Sequence, residues 1–180
     1  SGAETVNIVA RNEESGQELA DLISEKTEAQ GVYFTWKGSV PIPEGTEILV
    51  NCTNVGLYPD ENKPDIIYED IRKNMTVCDV VFNPPETKFL KEAKARGAAT
   101  VNGLGMLVNQ AALNYCLWTE NMAPKDVMKE ALLREFGLEN TTAQGEQKIM
   151  DEKDRKLIEK MMEYYAGDPK RVQHFLKVYE

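Results

Sequence analysis

Apolar and polar positions along the chain fall into two periods. Thr5-Val6-Asn7-Ile8-Val9-Ala10, Val32-Tyr33-Phe34-Thr35-Trp36, Glu47-Ile48-Leu49-Val50-Asn51-Cys52-Thr53, Met75 to Phe82 and Ala99-Thr100-Val101 are short runs of β type. Helical patterns lie between and after them. The first runs from about 13 to 29, with Asn12 placed as N-cap, Glu13 and Glu14 in the first turn, and Leu19, Leu22 and Ile23 at helical spacing. A short helix is predicted near 66–72, a longer one over 86–96 that stops at Gly97, and an apolar one over 105–118. Pro124, read as the first helical residue, opens a last helix through Phe136. The centre of the 47–53 run does not alternate, which predicts burial on both faces, as in a parallel sheet. Met75 to Phe82 has a similarly unbroken core of Val77, Cys78, Val80 and Val81.

Strands alternating with helices predict an α/β domain with a largely parallel sheet. Such a sheet takes its ligand at the carboxyl ends of the strands. The polar residues there are Arg11, Asn12, Asn51, Thr53, Asn54, Asp79, Asn83 and Asn102. A nucleotide-like ligand is the expectation, although folds of this kind also bind other molecules.

The texture changes after residue 136. Gly137 to Gln147 is polar, holds two glycines and has no helical apolar period, so it reads as a linker. Charge changes at the same place. Residues 1–145 hold 13 basic and 22 acidic side chains, and residues 146–180 hold 8 of each, so the net −9 belongs to the first part. Beyond the linker, Met150 to Tyr165 predicts an amphipathic helix with Asp151 as cap and Ile158, Met161 and Met162 on one face. Gly167-Asp168-Pro169 breaks it before a second helix over Lys170 to Tyr179.

An acidic chain with a pI near 4.8 is a poor match for a nucleic-acid binder, which needs a basic face. No apolar run reaches the roughly 18–20 residues that span a bilayer, and the opening Ser1-Gly2-Ala3-Glu4 has no secretory pattern. Cys52, Cys78 and Cys116 are sparse and odd in number, which predicts reduced thiols and a cytoplasmic protein.

Three segments carry a family resemblance. Val50-Asn51-Cys52-Thr53-Asn54-Val55-Gly56, Asp79-Val80-Val81-Phe82-Asn83-Pro84-Pro85-Glu86-Thr87, and Lys94-Ala95-Arg96-Gly97 with Gly103-Leu104-Gly105-Met106-Leu107-Val108-Asn109-Gln110-Ala111-Ala112 stand in order. Together, over about residues 3–136, they resemble the C-terminal domain of the shikimate and quinate dehydrogenase family. The resemblance implies a Rossmann-like, mostly parallel sheet flanked by helices, lacking the family's first strand and Gly-rich phosphate turn, and followed by a short all-α tail. The domain reading is a partial cofactor-binding domain at 1–136, a linker at 137–149 and a helical segment at 150–180. The implied activity is NADP-dependent reduction of 3-dehydroshikimate to shikimate, with NAD and quinate as alternatives. The implied partners are the small-molecule substrate, a missing N-terminal substrate domain and a second copy in a homodimer, with no nucleic acid and no membrane.

The resemblance also assigns roles. Arg11 matches a residue that holds the adenosine 2′-phosphate, a task suited to a planar, permanently charged guanidinium. Asn12 stands beside it where the family has Thr, and a solvent-exposed strand-end arginine is the alternative. Thr53 matches a hydroxyl offered to the cofactor, or else a turn residue. Val80 matches a contact on the nicotinamide side, and from the residues alone it is core. Gly103 and Met106 match positions beside the nicotinamide, with core packing the alternative for Met106. Phe82 replaces a substrate-binding Tyr, keeping the ring and losing the donor. Gln110, one helical turn after Met106, matches a residue that binds substrate hydroxyls. No catalytic Lys or Asp matches, so the chain alone is expected to be inactive and to bind cofactor weakly or not at all. Asp79 reads as structural.

Asp168 to Tyr179 resembles the opening of HD-domain phosphohydrolases, in which His174 is the first metal ligand. Two alternatives therefore stand beside the dehydrogenase reading. One is a metal-dependent phosphohydrolase with a degenerate Rossmann-like sensor. The other is a non-catalytic binding protein on the same fold.

Overall fold

The computed structural model describes residues 2–138 of the chain. The segment expected to be helical at 150–180, His174 within it, and all of the expected linker except Gly137 and Leu138 lie outside the described residues. The described chain forms two compact units, one of residues 2–44 and 65–70 and the other of residues 45–64 and 71–138.

The first unit holds β1 (Thr5–Ala10), α1 (Glu13–Lys26) and β2 (Gln30–Thr35). β1 and β2 pair in parallel, from Thr5 opposite Gln30 to Ala10 opposite Thr35. Asn12 caps α1 as expected, its side chain accepting from the Ser15 N–H at 2.9 Å. At the other end the Thr27 hydroxyl donates to the Ile23 carbonyl at 2.7 Å. The buried face of α1 is made of small residues. Gly16 and Ala20 are buried, whereas Leu19 and Leu22 are 45% and 49% exposed. The reason is backbone proximity. A Cβ on Gly31 of β2 would overlap the Ala20 carbonyl, and one on Gly16 would run into the Tyr33 ring. Small residues let helix and strand approach to a distance that leucines would prevent. The loop after β2 is tied to residues 65–70: Trp36 Nε1–H donates to the Asp65 carbonyl at 3.0 Å, and the Ile42 N–H to Asp70 Oδ2 at 3.0 Å. The helix expected near 66–72 is a single 3₁₀ turn at Tyr68–Asp70.

The second unit holds β3 (Ile48–Asn51), β4 (Thr76–Asp79), α2 (Lys88–Ala95), β5 (Ala99–Val101), α3 (Leu104–Thr119) and α4 (Lys125–Glu135). Its strands lie parallel in the order β3-β4-β5, with Val50, Cys78 and Val101 in register. Burial of β3 on both faces is not observed: Ile48 is 65% and Val50 45% exposed, while Asn51 is buried. The in-register Val101 is also 52% exposed, so the same face of the sheet stays open across it. The unbroken apolar run thus reports strand propensity here and not two-sided cover. β3 and β4 also end earlier than their apolar runs. Asn51 accepts from the Thr53 N–H at 3.1 Å and Asp79 from the Val81 N–H at 3.0 Å, so each side chain turns the backbone out of the ladder.

α2 contacts β4 and β5 and buries Phe89, Leu90 and Ala93. It stops at Gly97, whose φ of +82° suits glycine, and the Ala98 N–H donates back to the Ala93 carbonyl at 3.2 Å. Pro124 sits at the cap of α4 and not at its first helical position. α3 and α4 share a core in which Phe82, Leu107, Ala111, Met128 and Leu132 are buried together.

Gly31→Ala is expected to lower unfolding stability by about 1–3 kcal/mol, the range for overpacking a tight site. Gly105→Ala, where a Cβ meets nothing within 4 Å, is expected to be neutral or to gain up to about 1 kcal/mol. Urea midpoints followed by far-UV circular dichroism check both. An unchanged midpoint for Gly31→Ala would show that α1 does not lie this close to β2.

Candidate functional site

Three buried polar side chains organise the carboxyl ends of β3 and β4. Asn51, Asp79 and Thr87 are 5%, 3% and 1% exposed. Asn51 Nδ2 donates to Asp79 Oδ1 at 3.0 Å and to the Val55 carbonyl at 3.2 Å. Thr87 Oγ1 donates to Asp79 Oδ2 at 2.7 Å and accepts from the Leu90 N–H, capping α2. The network joins the loops after two adjacent strands to the start of a helix, and each buried oxygen of Asp79 is satisfied, as burial requires.

Thr53 belongs to this arrangement. Its hydroxyl donates to Asn51 Oδ1 at 2.7 Å and accepts from the Val55 N–H at 3.1 Å. The turn role therefore occupies the hydroxyl proton and one lone pair, and a second lone pair remains for a donor on a ligand.

Val80 and Gly103 are brought together. A Cβ on Gly103 would lie 2.6 Å from the Val80 carbonyl oxygen and 2.9 Å from that of Val81. The start of α3 lies against the loop after β4, and only glycine permits it. Met106, on α3, is 50% exposed, so it lines an open surface instead of the core. Gln110, one turn further on, is partly buried, and its Nε2 is buried with no hydrogen-bond partner. An unpaired buried amide donor costs about 1–3 kcal/mol, so this atom calls for an acceptor. Phe82 is 4% exposed and packs into the α3–α4 core.

Arg11 and Asn12 lie in the first unit, at the carboxyl end of β1. Asn12 spends its side-chain oxygen on the α1 cap. The Arg11 guanidinium lies over the Trp36 ring, 5.6 Å from its centroid. Trp36 was not singled out by sequence reasoning. No sequence signal marked it, because the contact depends on the strand register, in which Ala10 pairs with Thr35 and the next residues are Arg11 and Trp36.

Burial pushes the Cys52 and Cys78 thiols up, with the Asp79 charge adding to the effect at Cys52, so neither is an activated thiolate. No group of three or more His, Cys, Asp or Glu able to hold a metal occurs among the described residues. No helix among them is long and apolar enough to cross a membrane.

Residues 103–133, which include Gly103, Met106 and Gln110, match the model of the shikimate 5′-dehydrogenase C-terminal domain. The chain is 37% identical over 129 residues to the NADP-dependent shikimate dehydrogenase of Methanococcus aeolicus, covering 71% of the chain and 46% of that protein. Among solved structures, 5-ketofructose reductase of Gluconobacter sp. strain CHM43 is 40% identical with a TM-score of 0.65, covering 72% of the chain and 47% of the reductase. A shikimate dehydrogenase in complex with NADP+ is 28% identical with a TM-score of 0.64, over 76% of the chain and 56% of the enzyme. These structures share the α/β fold of parallel strands flanked by helices. The chain spans about half the length of the curated relatives it matches.

Burial pushes the Asp79 carboxyl up from its usual range, against hydrogen bonds from Thr87, Val81 and Asn51 that pull it down. A raised folded-state value means tighter proton binding in the folded state. Its contribution to stability is therefore full below the unfolded value of about 3.9 and is lost as pH rises through the folded value. Urea midpoints measured from about pH 3.5 to 7 should fall with rising pH in the parent relative to Asp79→Asn. Parallel curves for the two proteins would overturn this assignment.

Proposed function

We propose that the chain is the cofactor-binding half of an NADP-dependent oxidoreductase of the shikimate dehydrogenase type, acting between 3-dehydroshikimate and shikimate. The observation that carries this reading is the similarity to a shikimate dehydrogenase along 71% of the chain, together with the match of residues 103–133 to the shikimate 5′-dehydrogenase C-terminal domain. In this reading Arg11 forks onto the adenosine 2′-phosphate, with Asn12 presenting the α1 N-terminus beside it. Thr53 offers its remaining lone pair to the cofactor. Val80 and the bare Gly103 backbone form a close, flat floor for the nicotinamide, and Met106 adds a soft apolar side. Gln110 Nε2 donates to a substrate hydroxyl, which would satisfy the one buried side-chain donor without a partner among the described residues.

On the cofactor side the residues present fit a dinucleotide in two ways. Gly103 lets the start of α3 lie against the Val80 loop, and Thr53 keeps one lone pair for a donor, while Gln110 serves the substrate. NADPH, when bound, supplies the hydride. The chain's own task is orientation, holding ring and substrate close enough to react. It carries no Gly-rich phosphate turn and no acid–base pair matching the family's Lys and Asp. Turnover is accordingly assigned to a longer protein that includes a substrate domain, working as a soluble cytoplasmic enzyme.

Phe82 favours a second reading of the substrate. Phe in place of a carboxylate-binding Tyr removes a bond worth roughly 1.5–3 kcal/mol, and the 5-ketofructose reductase shares 40% identity. A different polyhydroxy ketone would suit a site without that hydroxyl.

Three measurements test the reading. The 180-residue chain titrated with NADPH should show no binding at ~10 μM, and tighter binding would overturn the incomplete-site assignment. In the longer protein, Gln110→Leu should lower kcat/KM about three- to tenfold, the worth of one neutral hydrogen bond, while the NADPH Kd stays unchanged. The substrate is decided by assaying that protein with shikimate and NADP, quinate and NAD, and 5-ketofructose and NADPH. Activity with none of the three would remove the proposal.

A further inference from the structure

Arg11 has two acidic neighbours at the start of α1, Glu13 and Glu14, yet it forms no ion pair among the described residues. Its guanidinium instead lies 5.6 Å from the centroid of the Trp36 ring. The ring is itself held at three points. The Trp36 backbone N–H donates to the Ala10 carbonyl at 2.9 Å, its indole N–H donates to the Asp65 carbonyl at 3.0 Å, and the chain just before it is in the β2 ladder. The Tyr33 hydroxyl donates to the same Ala10 carbonyl at 3.2 Å, which fixes the end of β1 from a second side. Trp36 is thus a fixed platform on which the Arg11 guanidinium lies.

A guanidinium over an aromatic face keeps its N–H groups pointing outward from its edge, while a bound carboxylate would occupy them. Withdrawn from the acidic pair, the Arg11 fork remains available for a phosphate. We infer that Trp36 is the positioning residue that holds Arg11 ready for a 2′-phosphorylated adenosine, and so sets preference for the phosphorylated over the plain dinucleotide. The inference rests on the cofactor reading of Arg11 given above and adds the residue that makes it selective. Trp36 acts through Arg11 and does not touch the reacting atoms.

The test uses the 180-residue chain with Trp118→Phe, which leaves Trp36 as the one indole of the sequence. Trp118 is 66% exposed, so its replacement leaves the core intact. Adenosine 2′-monophosphate and adenosine 5′-monophosphate are titrated to millimolar concentration, read by Trp36 emission and by calorimetry. The 2′-phosphate should bind more tightly and change Trp36 emission as Arg11 shifts on the ring. Trp36→Leu should lower affinity for the 2′-nucleotide roughly two- to fivefold, the scale of one exposed cation–π contact, and leave the 5′-nucleotide unchanged. Trp36→Phe should retain most of the preference, which a merely structural role for the indole would not predict. Should Trp36→Leu fold poorly, Arg11→Lys serves instead: it keeps the charge, loses the planar stack, and should lose the preference and shift Trp36 emission without ligand. A 2′-preference that survives Trp36→Leu or Arg11→Lys overturns this inference and leaves the cofactor reading standing. No preference in the parent chain overturns both.

Discussion

Asp79 sits at the end of β4 with 3% of its surface exposed, and the geometry of the second unit hangs on satisfying it. A buried carboxylate with an unfilled oxygen is costly, so its donors are constrained in place. Asn51 supplies one from β3, Thr87 one from the start of α2, and the Val81 N–H one from the loop that follows. These bonds fix where both strands end and where α2 begins. The loops that carry Thr53 and Val80 inherit their positions from the same three residues.

From that anchor the rest of the site follows by close approach. The loop at Val80 and Val81 stands near enough to Gly103 to forbid a side chain there. α3 therefore starts beside the strand ends and carries Met106 and Gln110 with it. The first unit uses a related device with other atoms: Gly31 against Ala20, and Gly16 against Tyr33, let α1 lie on the two-stranded sheet. In both units a glycine marks a close approach that a side chain would block. Recognition chemistry then divides by unit, with a phosphate-suited guanidinium in one and a polar loop cluster with an unpaired amide in the other.

Most elements were legible before any coordinates. β1 and β5 have the bounds expected, and the other strands and helices fall within a few residues of expectation. Local signals account for this: Asn12 before Glu13 and Gly97 at the end of α2. The errors share a cause. Ile48 and Val50 are apolar and were expected inside, but a sequence pattern states only that a side chain suits burial, not that another element arrives to cover it. The early ends of β3 and β4 were hidden because Asn51 and Asp79 act through side-chain bonds to backbone two residues on, a competition that an apolar run masks.

For the site, the sequence by itself determined which residue types stand at the strand ends, and motif order was enough to nominate Arg11, Thr53, Val80, Gly103, Met106 and Gln110. Only the tertiary structure decided how those residues are used. It showed the Thr53 hydroxyl engaged within its turn, Phe82 in the core, Gln110 with an unpaired donor and Arg11 laid on Trp36. The physical reason is that side-chain identity is local, while hydrogen-bond satisfaction and ring contacts depend on partners tens of residues away. Arg11 and Trp36 are 25 positions apart in sequence, since 36 − 11 = 25, and meet only because β1 and β2 are paired in that register.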